Sequence, residues 1–145
     1  MDQDPDIDDV AKALQVSIGL LLRRVRQAQA EGELTAPESA ALARLDRGGA
    51  TTASALAKLE QISPQSMGAT LGALEARGLV ERRPDPEDGR RAVISVTGAG
   101  LEALRDRRNA RTAQLAQALS TGFTHSELTQ LRAVAPLLER LAQSL

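Results

Sequence analysis

Four arginines crowd one short stretch: Arg82-Arg83 precede, and Arg90-Arg91 follow, the segment Pro84-Asp85-Pro86-Glu87-Asp88-Gly89. A guanidinium is permanently charged and carries a planar fork of N–H donors, the chemistry that grips phosphates and the acceptor edges of bases. Asp88 lies two residues before Arg90. Its carboxylate is expected to brace Arg90 or Arg91 across a tight turn that Gly89 permits. A second group of polar side chains, Ser63, Gln65, Ser66 and Thr70, lies just upstream. At 100° per residue Gln65 shares a helical face with Ala69, Gly72 and Ala76, flanked by Ser66 and Ala73. Glutamine suits a bidentate contact with adenine, and serine can reach a base edge or a phosphate.

Catalytic chemistry finds no comparable candidates. The chain has no cysteine, which closes thiol catalysis, thiol redox sensing, disulfides and cysteine metal sites. His125 is the single histidine and has no His-Glu-x-x-His spacing around it, so it reads as part of a helix start rather than a metal ligand. No Gly-x-Ser-x-Gly, Walker-type loop or paired-carboxylate motif is present. An enzyme would therefore lack a nucleophile or base, and no metal or cofactor is expected.

The bulk properties set the frame. At 145 residues one folding unit is expected. Alanine and leucine dominate the apolar fraction and Phe123 is the one Phe, Tyr or Trp, so a mainly helical protein packed through leucines is expected. So few rings argue against a platform that stacks single-stranded or RNA bases. The formal net charge is −1, which excludes a uniformly basic DNA-coating protein. The charge is uneven, however. Asp2, Asp4, Asp6, Asp8 and Asp9 crowd the N-terminal end, whereas the four arginines form a local basic patch able to bind phosphate. No apolar run could span a bilayer and the acidic start is unlike a signal peptide, so no membrane partner and a cytoplasmic location are expected.

The elements that must position these residues are legible in the patterning. Ile7, Val10, Leu14, Ile18, Leu21, Leu22 and Val25 form the stripe of an amphipathic helix from about residue 6 to residue 30, closed by Gly32. Thr35 and Glu38 form a capping box with Pro37 in the first turn of a second helix, which ends at Gly48-Gly49. Thr51 or Thr52 can cap a third helix carrying Ala55, Leu56 and Leu59. Ser63-Pro64 opens a fourth, with Met67, Leu71 and Leu74 as its buried stripe and Gly78 as its end. Leu79 to Arg83 and Ala92 to Thr97 then read as two strands of a hairpin, the second with clear alternation. Thr97 caps a long fifth helix through Leu101, Leu104, Leu115 and Leu119, charged between Arg105 and Arg111. Thr124 and Glu127 form a capping box for a last helix with Leu128, Leu131, Leu138 and Leu141 on one side, which Pro136 should bend. Only Met1 to Pro5 reads as disordered.

Helix, strand, basic tip and strand in that order are the layout of a winged helix. Over almost its whole length the chain resembles the MarR family of winged helix-turn-helix transcriptional regulators. The matching residues are Gly78-Leu79-Val80-Glu81-Arg82, then Asp85-Pro86-Glu87-Asp88-Gly89-Arg90, then Val93 to Thr97 with Gly100 following; Leu56-Ala57 and Ser63 match upstream. The resemblance implies a mainly α (α+β) fold, with a DNA-binding part over residues 35–97 and dimerisation helices over 6–30 and 98–145. It also implies a homodimeric, sequence-specific double-stranded DNA-binding regulator, a repressor on a palindromic operator, released by a small aromatic or phenolic effector. In the family the tip arginine, here Arg90, enters the minor groove, and Asp88 can hold it there. One departure is plain: many relatives carry a Thr-Arg pair and a further Arg on the recognition helix, where this chain has Gly68-Ala69 and Ala73.

On spacing alone Arg90 is equally an ordinary solvated tip charge; the wing context is what favours the groove. Arg82, Arg83 and Arg91 either touch phosphates or solvate strand faces. Gly68 and Gly72 each cost about 1 kcal/mol relative to alanine in a helix, which either close helix packing or close approach of DNA must offset. The DNA-binding candidates are thus Ser63, Gln65, Ser66, Thr70, Arg82, Arg83, Arg90 and Arg91, with Asp88 and Gly89 as wing support. The alternative function is a winged-helix module that binds protein without specific DNA binding.

Overall fold

The computed structural model describes residues 4–145, so Asp2 and the first three positions of the Met1 to Pro5 stretch lie outside the described residues. The elements are α1 (Ile7–Gln27), α2 (Ala36–Gly48), β1 (Thr51–Thr52), α3 (Ala53–Glu60), α4 (Pro64–Ala76), β2 (Val80–Pro84), β3 (Ala92–Val96), α5 (Gly98–Ser120) and α6 (His125–Gln143). The fold is mainly helical with one small antiparallel sheet. Two compact units divide the chain, one running through Leu104 and one spanning Arg105–Leu145.

Within the first unit, side-chain caps set the helix starts. Asp6 accepts from the Asp8 amide at 3.0 Å and starts α1. That helix stops at Gln27, short of residue 30, where the Ala28 amide turns back to the carbonyls of Arg24 and Arg26. Gly32 (φ +81°) sits in the following loop instead of closing the helix. In α2 the capping box forms as expected: the Thr35 amide donates to Glu38 at 2.9 Å and the Glu38 amide to Thr35 at 3.2 Å. Thr52, not Thr51, caps α3 by accepting from the Ala55 amide at 3.1 Å. Ser63 caps α4, with Pro64 in its first turn.

The sheet holds a strand that the sequence reading missed. Its order is β1-β3-β2, with Thr51 opposite Ile94, and Ile94 opposite Arg82. β1 is two residues long and has no alternation to read. The hairpin strands begin and end within one residue of expectation, at Val80–Pro84 and Ala92–Val96.

Leu42, Leu45, Leu56, Met67, Leu71, Leu74 and Ile94 are the large, fully buried side chains of one core, extended by Leu34, Leu79, Val80 and Leu104. Every helix from α2 to α5 and both longer strands contribute to it. α1 contributes no buried residue. The junction of sheet and α5 is tight. A Cβ on Gly100 would collide with the Leu79 carbonyl oxygen and the Val96 side chain, so glycine is needed there for space. Thr97 holds the same corner: its hydroxyl donates to the Gly78 carbonyl at 2.7 Å and accepts from the Gly100 amide at 3.1 Å.

In the second unit, α6 starts on the expected capping box, with Thr124 and Glu127 exchanging bonds of 2.8 and 3.2 Å. The Thr124 backbone amide, and after it the Thr124 hydroxyl, hold the Glu127 carboxyl below its ordinary pKa. His125 is the first residue of α6, and Pro136 lies in its interior.

Candidate nucleic-acid interface

α4 sorts its side chains cleanly. Met67, Leu71 and Leu74 face the core, leaving Gln65, Ser66, Gly68, Ala69, Gly72, Ala73 and Ala76 exposed and Thr70 half-buried. Ser63 is committed to the helix start, because its hydroxyl accepts from the Ser66 amide at 3.0 Å and donates to the Ser66 hydroxyl at 2.9 Å. The Ser66 proton is left to point elsewhere. A Cβ built on Gly68 or Gly72 would meet nothing within 4 Å. Packing inside the chain therefore does not account for either glycine.

The wing presents its arginines unequally. Arg82 Nε pairs with Glu75 of α4 at 2.7 Å, and Arg83 pairs with Glu81 at 2.9 Å. Arg91 Nε lies 3.6 Å from Asp88. Among the described residues Arg90 is the one wing arginine with no carboxylate partner for its guanidinium, and it is exposed at the tip. Asp88 does hold the turn: one carboxylate oxygen accepts from the Arg90 amide at 3.1 Å while the other faces Arg91. The tip is closed further by the Asp85 amide on the Arg91 carbonyl and the Arg91 amide on the Asp88 carbonyl, both at 3.0 Å. Gly89 differs from expectation. It is absent from the left-handed region and has open space around it, so the turn does not require a glycine there.

The sequence reading did not find Glu75 and Glu81. Glu81 and Arg83 are two apart on one strand and so share a face, a signal that was available. Glu75 and Arg82 meet only because β2 folds back beside α4, which no local pattern reveals. A further pair of contacts ties the end of α4 to the start of α2: Arg77 donates to the Gly32 carbonyl at 3.0 Å and lies 3.9 Å from Glu38. Among the described residues no cluster of three or more His, Asp or Glu is placed to hold a metal ion, and no helix is long and apolar enough to cross a membrane.

Residues 33–91 match the MarR family model. An uncharacterized HTH-type transcriptional regulator of Mycobacterium bovis is 34% identical over 129 residues, 89% of this chain and 90% of that protein. The chain belongs to the MarR family. A crystal structure of a Pseudomonas aeruginosa protein assigned as a transcriptional regulator superposes with a TM-score of 0.79 at 34% identity, covering 96% of this chain and 99% of the other. MarR from E. coli shares the fold at 19% identity, with a TM-score of 0.69 over 97% of this chain and 98% of the other. This MarR-family chain is accordingly a winged helix-turn-helix transcriptional regulator, and its relatives are named as regulators, not as enzymes.

Proposed function

We propose that the chain is a sequence-specific double-stranded DNA-binding repressor that acts as a homodimer and is released by a small-molecule effector. Each α4 enters a major groove and each wing the flanking minor groove, with Gln65, Ser66 and Thr70 toward base edges, Ser63 near the phosphates and Arg90 inserted at the tip. The observation that carries this reading is the lone state of Arg90 beside three arginines that each have a carboxylate. An uncompensated guanidinium on a braced turn is ready for the negative potential of a narrow minor groove without first breaking an ion pair. Arg90→Ala should weaken operator binding by about 1–3 kcal/mol. Equal affinity of the variant and the wild type would instead favour the winged-helix protein-interaction module.

Dimerisation is supported by unpartnered apolar surface. Ile7, Val16, Leu20, Leu21 and Leu22 of α1 are exposed, as are Leu131, Leu137 and Leu141 of α6. Such stripes are larger than a monomer usually leaves in water. The proposed dimer uses α1, α5 and α6, and its two-fold symmetry implies a palindromic operator.

For the effector, a groove of about 560 Å³ lies between α1 and the helix-turn-helix. Pro37, Ala40, Ile62 and Met67 supply apolar walls and Arg26 a cation, which suits a small aromatic or phenolic acid. Occupancy there would press on α2 and on Met67 beneath the reading face, so release of DNA follows from a shift of α4. Arg26→Ala should leave DNA binding intact while blunting release by such acids; unaltered release would place the effector elsewhere.

A further inference from the structure

We propose that the cleft between the start of α3 and the wing seats one phosphodiester group of the DNA backbone, held by Arg82, Arg91 and the Ser54 hydroxyl. This inference rests on the DNA reading above and adds a contact that neither α4 nor the wing tip supplies.

The cleft has a volume of about 340 Å³ and is lined by Thr52, Ala53, Ser54, Arg82, Arg91 and Ala92. Two of its six lining residues are arginines, and none is a carboxylate. Arg82 reaches it from an unusual position. It stands opposite Ile94, which in turn stands opposite Thr51, so it belongs to the row that carries a fully buried core residue across the sheet. At the edge of that row its guanidinium emerges between β2 and α4, where Glu75 fixes it through Nε. Asp88 holds Arg91 through the same atom. A guanidinium has five N–H donors, so each arginine keeps terminal amino groups beyond the one donor its carboxylate engages.

The ordinary account is that Arg82 and Arg91 only stabilise the hairpin. It explains the two carboxylates but leaves two cations lining a shared cleft whose other lining residues, Thr52, Ala53, Ser54 and Ala92, include no carboxylate. Exposed pairs of this kind contribute little to stability, a weak reason to converge two arginines. The hydroxyls point to the same ligand. Ser54 is exposed and, among the described residues, its side chain has no hydrogen-bond partner, while the Thr52 hydroxyl uses only its acceptor side, toward the Ala55 amide. Donors from both sides of the cleft suit a tetrahedral oxyanion. The location fits as well. A backbone strand of B-form DNA separates the major groove from the minor groove, and with α4 in one and the wing in the other that strand passes between them, across this cleft.

The test uses the full chain and a random-sequence duplex of about 30 base pairs, because non-specific binding is carried by the backbone. Affinity is measured against sodium chloride concentration for the wild type, Ser54→Asp, Gln61→Asp and Arg91→Gln. Ser54→Asp puts an anion into the cleft, yet an acid in the first turn of a helix is favourable to folding, so its thermal midpoint should equal or exceed that of the wild type. Gln61→Asp makes the same charge change at the opposite end of α3. The proposal expects Ser54→Asp to weaken duplex binding at least tenfold, and Arg91→Gln to lower the salt slope by about one. Gln61→Asp should stay within about threefold. Binding by Ser54→Asp within twofold of wild type, or equal losses in the two aspartate variants, would overturn the phosphate seat while leaving the DNA reading standing. Absence of duplex binding by the wild type at low salt would overturn both.

Discussion

The division of labour among the wing arginines is set by a few carboxylates, and for one of them, Asp88, two accounts predict effects of opposite sign. Asp88 accepts from the Arg90 amide at 3.1 Å and faces Arg91 at 3.6 Å, so it braces the backbone at one arginine and the side chain of the next. As an anion near phosphates it would on electrostatics alone oppose binding, and Asp88→Ala would bind operator more tightly. The bracing role predicts weaker binding, because Arg90 loses its preset geometry. Titrations at one salt concentration separate the two, and the thermal midpoint should hardly move because exposed pairs contribute only about 0–1 kcal/mol. Gln65→Ala should relax base preference at one position per half-site; unchanged specificity would mean that α4 reads through backbone and shape, a role that the open space at Gly68 and Gly72 permits. The tip arginines and Asp88 were legible from spacing because a turn brings near neighbours together. Arg82 was not separable from Arg90 in that way, since its partner Glu75 arrives through the fold.

At the scale of elements, the sequence marked the starts of α2, α4 and α6 by capping residues whose chemistry is local: Thr35 with Glu38, Ser63 before Pro64, Thr124 with Glu127. Helix ends were less legible. α1 stops at Gln27 although its apolar and polar pattern runs on, since a helix without buried residues has no packing to fix its end. β1 escaped notice because Thr51 and Thr52 become a strand only by pairing with β3. The glycine after the second hairpin strand gains a physical reason: Gly100→Ala would drive a methyl into the Leu79 carbonyl and Val96, and should destabilise the winged unit by about 1–3 kcal/mol in denaturant unfolding. Unchanged stability would show that the corner can open. The α6 capping box predicts a pH effect. Glu127 is held below its ordinary pKa, so its contribution is full above the unfolded-state value and is lost as pH falls through the lowered folded value. Hydrogen-exchange protection in the first turn of α6, corrected for the slower intrinsic exchange in acid, should fall at pH below the ordinary carboxylate range, and Glu127→Ala should already lack it at neutral pH. Equal protection in both proteins at both pH values would contradict the cap's role.

For the whole molecule, the proposed function asks two apolar stripes at the chain ends to form a dimer, and the polar edge of α4 and the uncompensated arginine at the wing tip to read duplex DNA. The stripes were legible as leucine and isoleucine periodicity, but what covers them was not, because a single sequence does not distinguish an interior from an interface. Sedimentation at micromolar concentration should give twice the 15.4 kDa chain mass, and a monomer alone would remove the symmetry on which a palindromic site depends. The absence of cysteine predicts that mild peroxide leaves DNA binding unchanged except through methionine oxidation. The most direct test is selection of bound duplexes from fragments of the genome that encodes the chain, at near-physiological salt, with the wild type and Arg90→Ala in parallel. The wild type should enrich an inverted repeat with half-sites about one helical turn apart, and Arg90→Ala should enrich it far less at equal protein concentration. Enrichment of no common sequence by the wild type, or equal enrichment by both proteins, would contradict a dimer that reads DNA through α4 and anchors itself through the wing.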